Sequence, residues 1–119
     1  ITVQGNRSEE LVEFFARYYG RFAITQPDRP EPMLNILASF NNGVWTVHII
    51  PRKLHRPSCY FAEGEARILL SPASVDMGGV LITPREEDFN KLTMSDINRI
   101  FTEVCLGEED ITSLIADII

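Results

Sequence analysis

Apolar residues recur at helical spacing from about Ser8 to Tyr19, where Leu11, Val12, Phe14, Phe15, Tyr18 and Tyr19 share one broad face behind Glu9, Glu10 and Glu13. This pattern predicts an amphipathic helix, with Ser8 as its N-cap and Gly20 as its left-handed stop. The aromatic side chains on that face read as core. Phe22 to Thr25 forms a short apolar stretch, and the proline-rich run Gln26 to Pro32 predicts an ordered connector rather than a regular element. The period then changes to two. Leu34, Ile36, Ala38 and Phe40 alternate with Asn35 and Ser39, as in a strand with one polar face. Asn41, Asn42 and Gly43 supply a turn with positive φ, and the β-branched and aromatic run Val44 to Ile50 returns until Pro51 stops it, so an antiparallel hairpin is expected.

Beyond the hairpin, Ala66 to Leu70 and Gly79 to Thr83 are short apolar runs bounded by Gly, Pro and Asp, which predicts two more strands of the same sheet. Thr83, Pro84 and Glu86 form a helix-start signature of hydroxyl cap, proline and reaching carboxylate. A second capping box, Thr93 with Asp96, opens a longer helix whose Ile97, Ile100, Phe101 and Val104 face the sheet and which Gly107 ends. Glu108 to Asp110 begin a last helix with Ile111, Leu114, Ile115 and Ile118 on one side. Hairpin connections, with strands first and helices later, argue for an α+β fold, an antiparallel sheet with flanking helices.

At 119 residues the chain is long enough for a core of its own, and residues 1–119 are expected to be a single domain. Its start at Ile1 rather than methionine, with structure almost at once, reads as a piece of a longer protein or a processed chain. No apolar run approaches the roughly 18 residues that cross a bilayer. Cys59 and Cys105 make neither a metal spacing nor a disulfide framework, which points to a cytoplasmic protein with reduced thiols. A net charge of −6 disfavours nonspecific binding to nucleic acid or to an acidic membrane.

Against that acidic background one segment stands apart. Arg52, Lys53, His55 and Arg56 crowd between Pro51 and Pro57, at the end of the predicted hairpin. Arginine forks match phosphate oxygens, and flanking prolines reduce the entropy lost on gripping a ligand. The segment is therefore the candidate phosphate-binding site, the competing reading being a solvated basic loop paired with acids elsewhere. His55 has no orienting partner at a recognisable spacing, so no catalytic residue is assigned, and His48 reads as a structural strand residue. Asp76-Met77-Gly78-Gly79 permits close backbone approach, for a ligand or for a tight turn, but lacks a dinucleotide fingerprint. Dipole stabilisation explains Glu86, Glu87 and Asp88 without a metal, and no cofactor is implied.

Taken in order, Asn35-Ile36-Leu37, Trp45, Ile50-Pro51-Arg52, the Asp76-Met77-Gly78-Gly79 stretch and Thr83-Pro84-Arg85-Glu86-Glu87-Asp88-Phe89 resemble the C-terminal half of a particular enzyme group. These are the GDP-galactose phosphorylases and related ATP adenylyltransferases (diadenosine tetraphosphate phosphorylases) of the histidine-triad-like superfamily. The resemblance implies a histidine-triad-like half of a duplicated architecture, whose amino-terminal half carries a His-x-His-x-Gln motif and forms a nucleotidyl-histidine. The present chain holds only His48 and His55 and no such motif. What it implies here is a noncatalytic, substrate-supporting half, inactive alone, whose partners are that N-terminal catalytic half and a nucleotide or nucleotide-sugar with phosphate. It leaves room for a homodimer. The alternative is an interaction or dimerisation module without nucleotide binding.

Overall fold

The computed structural model describes residues 1–116 and 118. Its elements are strand β1 (Thr2–Gly5), helix α1 (Ser8–Thr25), strands β2 (Leu34–Asn41) and β3 (Val44–Pro51), and helices α2 (Ser58–Phe61), α3 (Ser74–Met77), α4 (Glu86–Lys91), α5 (Met94–Val104) and α6 (Glu108–Ala116). A 3₁₀ turn at Gly64–Ala66 completes the set. The fold is α+β. Two compact units share the chain: the first is Ile1–Pro51 with Gly107–Ile119, the second Arg52–Leu106.

In the first unit the hairpin forms where the alternation puts it. Asn42 and Gly43 adopt φ of 50° and 76°, and Asn41 pairs with Val44. A two-residue loop with both φ positive is the type I′ turn, whose twist matches that of the strands it joins. Asn41 thus belongs to the strand, not to the turn. A third strand comes from the amino terminus: β1 runs antiparallel to β3, giving the order β1-β3-β2. Ile49 and Ile1 exchange both backbone bonds, at 2.8 and 2.9 Å. Since antiparallel bonds alternate, Ile49 has none left for its opposite number Ile36, and the groups of Ile36 point away from β3.

The two strands expected at Ala66 to Leu70 and Gly79 to Thr83 do not form. Their amides find other acceptors: Leu69 N donates to Asp88, Ile82 N to Asp76, and Ile68 N to the carbonyl of Cys59. Once carboxylates and a short helix satisfy the backbone, no neighbouring strand is required. Their apolar residues are core all the same, for Ile68 and Leu70 are buried with Ile100 of α5 in one cluster.

Several helix boundaries also move. Ser8 lies inside the first turn of α1, and the N-cap position belongs to Arg7, which makes no side-chain cap. Gly20 does not stop the helix, which continues to Thr25 and buries Phe22 one turn beyond Tyr18. A mid-helix glycine costs about 1 kcal/mol, and burying a phenylalanine returns roughly 1.5–3 kcal/mol. Helix α4 starts at Glu86, capped by neither Thr83 nor Pro84, whereas the Thr93–Asp96 box forms as expected, with Asp96 N 3.2 Å from Thr93 Oγ1. Helix α5 buries Ile100 and Val104 and closes at Cys105, before Gly107. Helix α6 buries Leu114, and Ile118 lies beyond its end.

Leu11, Phe14 and Phe15 of α1 and Val47, Ile49 and Trp45 of β3 line an apolar groove of about 350 Å³ over one face of the sheet. The opposite face is mixed, with Leu37, Val44 and Ile50 beside polar pairs. There Thr2 Oγ1 lies 2.9 Å from Nδ1 of His48, exposed on β3, and Gln4 Nε2 donates to Thr46 Oγ1 at 3.0 Å.

Candidate functional site

The basic segment begins where β3 ends. Lys53 N and Leu54 N both donate to the carbonyl of Val104, and Arg52 forms an isolated antiparallel bridge with Cys105, so the loop is pinned to the C-terminal end of α5. Arg52 is 5 % exposed and donates from Nη2 to the carbonyl of His55 at 2.7 Å. That bond closes the loop on itself. Burial lowers the Arg52 pKa from its ordinary value, with Cys105 and Asp76 acting in the opposite sense, and a guanidinium stays charged regardless.

Lys53, His55 and Arg56 are exposed on the same short segment. The Arg56 guanidinium sits 4.5 Å from the centroid of the Tyr60 ring, on the helix that follows buried Pro57. A cation stacked on an aromatic face keeps its edge donors available while losing little further rotamer freedom on binding. Ser71 Oγ adds a 3.4 Å bond to the His55 carbonyl. The four residues predicted from sequence are thus brought together, but in two roles: Arg52 inside as a brace, and Lys53, His55 and Arg56 outside.

Cys105 borders this loop. Burial pushes its thiol pKa up, against the pull of Arg52 and Lys53, two cations that the sequence around Cys105 does not reveal. Cys59 is likewise raised, chiefly by burial, and both cysteines are free. Thiols held protonated in this way are poor nucleophiles.

Sequence reading missed the most connected carboxylate in the unit. Asp88 is fully buried and accepts from Arg85 Nε and Nη2, each at 2.8 Å, and from Leu69 N at 3.0 Å, with Lys91 Nζ 3.4 Å away. Hydrogen bonds from Arg85 hold its carboxyl well below the ordinary carboxylate range, against burial and with help from Leu69 and Lys91. Lys91 Nζ also donates to the carbonyls of Glu65 and Arg67, so the network fastens the 3₁₀ turn and the residue after it onto α4. The signal was present as spacing: Asp88 stands three residues from both Arg85 and Lys91, on one face of a helix. Glu86 and Glu87 are exposed in the first turn, as the dipole argument has them.

The Asp76-Met77-Gly78-Gly79 stretch is a helix exit, not a strand. Asp76 accepts from Ala73 N at 2.8 Å and Ile82 N at 3.1 Å, and Gly79 takes φ 107°, a conformation that side chains resist. Both acceptor oxygens of Asp76 are committed to backbone. Among the described residues no cluster of His, Cys, Asp and Glu could hold a metal ion, and no helix is long and apolar enough to cross a membrane.

The picture is of an α+β chain with a braced basic loop and no His-x-His-x-Gln motif in its sequence. Residues 5–119 match the family model described as GDPGP1-like, C-terminal domain, and the chain belongs to that family. No curated protein and no solved structure matches it.

Proposed function

We propose that the chain is the noncatalytic C-terminal half of a nucleotidyltransferase or nucleotide-sugar phosphorylase, and that its Arg52–Arg56 loop supports the phosphates of the substrate. Membership of a family of C-terminal domains supports the first part, together with the absence of a His-x-His-x-Gln motif. The nucleotidyl-histidine would form on the N-terminal half of the longer protein, and the whole chain would act as one domain beside it in the cytoplasm. One observation carries the second part: Arg52 is spent on holding the loop, while Arg56 is stacked on Tyr60 and exposed, with Lys53 and His55 exposed next to it. Arg56 would meet phosphate with its fork, Lys53 would add charge, and His55 would donate a hydrogen bond.

Calorimetric titration of the chain with GDP, ATP and inorganic phosphate tests this reading. The expected result is weak, salt-sensitive binding of the nucleotides that falls at least about tenfold in Arg56→Ala and in Lys53→Ala. Binding that is absent for all three ligands, or indifferent to both substitutions, overturns it. Labelled nucleotide should leave no covalent adduct on this chain.

A further inference from the structure

Strand β2 forms one edge of the sheet, with no strand beyond it among the described residues, and it carries none of the devices that keep natural edges apart. Leu34–Asn41 holds no charge and no proline, in a chain of net charge −6, and it pairs with β3 along its whole length without a bulge. Edge strands this long are ordinarily broken by a lysine, a proline or a bulge. Its apolar side chains are also uncovered: Ile36 is 40 % and Phe40 57 % exposed, and Ala38 between them is exposed.

The bond pattern sharpens this. Because Ile49 spends its backbone groups on Ile1, Ile36 opposite it points its N–H and C=O outward, and by alternation so do Leu34, Ala38 and Phe40. On the face that carries Leu34, Ile36, Ala38 and Phe40 every residue of β2 is apolar and bonds outward, whereas Leu37 on the other face bonds inward opposite His48. A partner strand must therefore present an outward-bonding apolar set of matching parity, and β2 itself does so.

We propose that β2 pairs antiparallel with β2 of a second copy, about a two-fold axis through Leu37 perpendicular to the sheet. Ile36 then faces Ala38 of the other copy and Leu34 faces its Phe40, each pair exchanging both backbone bonds. The rotation keeps the apolar faces of the two sheets on one side, joins them into a continuous six-stranded sheet, and brings no like charges together along the seam. Registers that shift the copy by one residue turn apolar side chains toward polar ones and are excluded. The inference rests on the sheet alone and is independent of the phosphate reading.

Sedimentation of the 119-residue chain across a concentration series, up to about 1 mM, tests it, with Ala38→Pro and Ala38→Lys run beside the wild type. Proline at 38 gives up only an outward N–H, so the ladder to β3 is retained; lysine adds charge at the seam and keeps the backbone intact should proline unfold the hairpin. The expected result is a concentration-dependent dimer whose dissociation constant rises at least about tenfold in the variants while their far-ultraviolet circular dichroism is unchanged. A wild type that stays monomeric throughout overturns the proposal and gives the edge to a strand from elsewhere in a longer protein. A dimer undiminished in the folded variants overturns it as well, by moving the contact to another surface.

Discussion

Replacing Asp88 by asparagine keeps the shape of the side chain and removes its charge from a site that water does not reach. The carboxylate accepts two bonds from Arg85 and one from Leu69 N and pairs with Lys91. Charge-assisted bonds contribute about 1.5–3 kcal/mol each, and breaking a buried pair on one side costs about 3–5 kcal/mol. Arg85 and Lys91 are themselves 29 % and 33 % exposed, so both cations regain some hydration when the pair is lost, which sets the expectation near the lower end, roughly 3 kcal/mol. For a chain of this length that is a fall in Tm of roughly 10–18 °C.

Urea titrations at several pH values provide the assay, with hydrogen exchange at the Leu69 amide as a local readout. The folded-state pKa of Asp88 is depressed, so its contribution is present above the unfolded carboxylate pKa of about 3.9 and is lost as pH falls toward the folded value. The gap between wild type and Asp88→Asn should therefore narrow as pH drops below about 4. A gap under about 1 kcal/mol at neutral pH, or one equally wide at pH 7 and in acid, would refute the assignment of this network as the fastening of the second unit.

Two further outcomes follow from single side chains. Thr93→Ala removes the side-chain acceptor for Asp96 N and should cost about 1 kcal/mol in thermal or urea melts; a neutral result would mean that solvent caps α5 equally well. Tyr18 is fully buried, its hydroxyl has no partner among the described residues, and burial pushes its pKa up to about 12. Since the folded pKa exceeds the unfolded value of about 10, the wild type should lose stability as pH rises from 10 toward 12, and Tyr18→Phe should lack that component while melting no lower at pH 7.

The hairpin was legible apart from its ends, where Asn41 and Pro51 join the strands, because a two-residue period and an Asn-Gly turn are local instructions that tertiary context had no reason to override. The Thr93–Asp96 box was legible for the same reason. Gly20 was misread because a glycine reads as a stop only when nothing beyond it has to be buried, and Phe22 does. The run Ala66 to Leu70 was misread more instructively: hydrophobicity marked it correctly as core, but its backbone partners are a carboxylate nineteen positions away in sequence and a carbonyl on α2, and no periodicity encodes either. At the candidate site, composition found the four residues of the basic loop. It could not say that Arg52 turns inward, since that depends on the meeting of the loop with the end of α5.

The second unit lacks a sheet among its described residues, and three acids stand in for one: Asp88 takes the Leu69 amide, Asp76 those of Ala73 and Ile82, and Glu103 that of Ser58. Anchoring of this kind differs from a ladder in its response to changes of length. One residue inserted in β3 would invert every side chain downstream of it. The same residue inserted at the exposed positions 78–80, between Asp76 and the Ile82 amide it holds, would only enlarge a bight between two moorings, at a small entropic cost. Growth and shortening of the chain are thus far cheaper in the second unit than in the first, and its irregular outline is the part of this fold most open to remodelling.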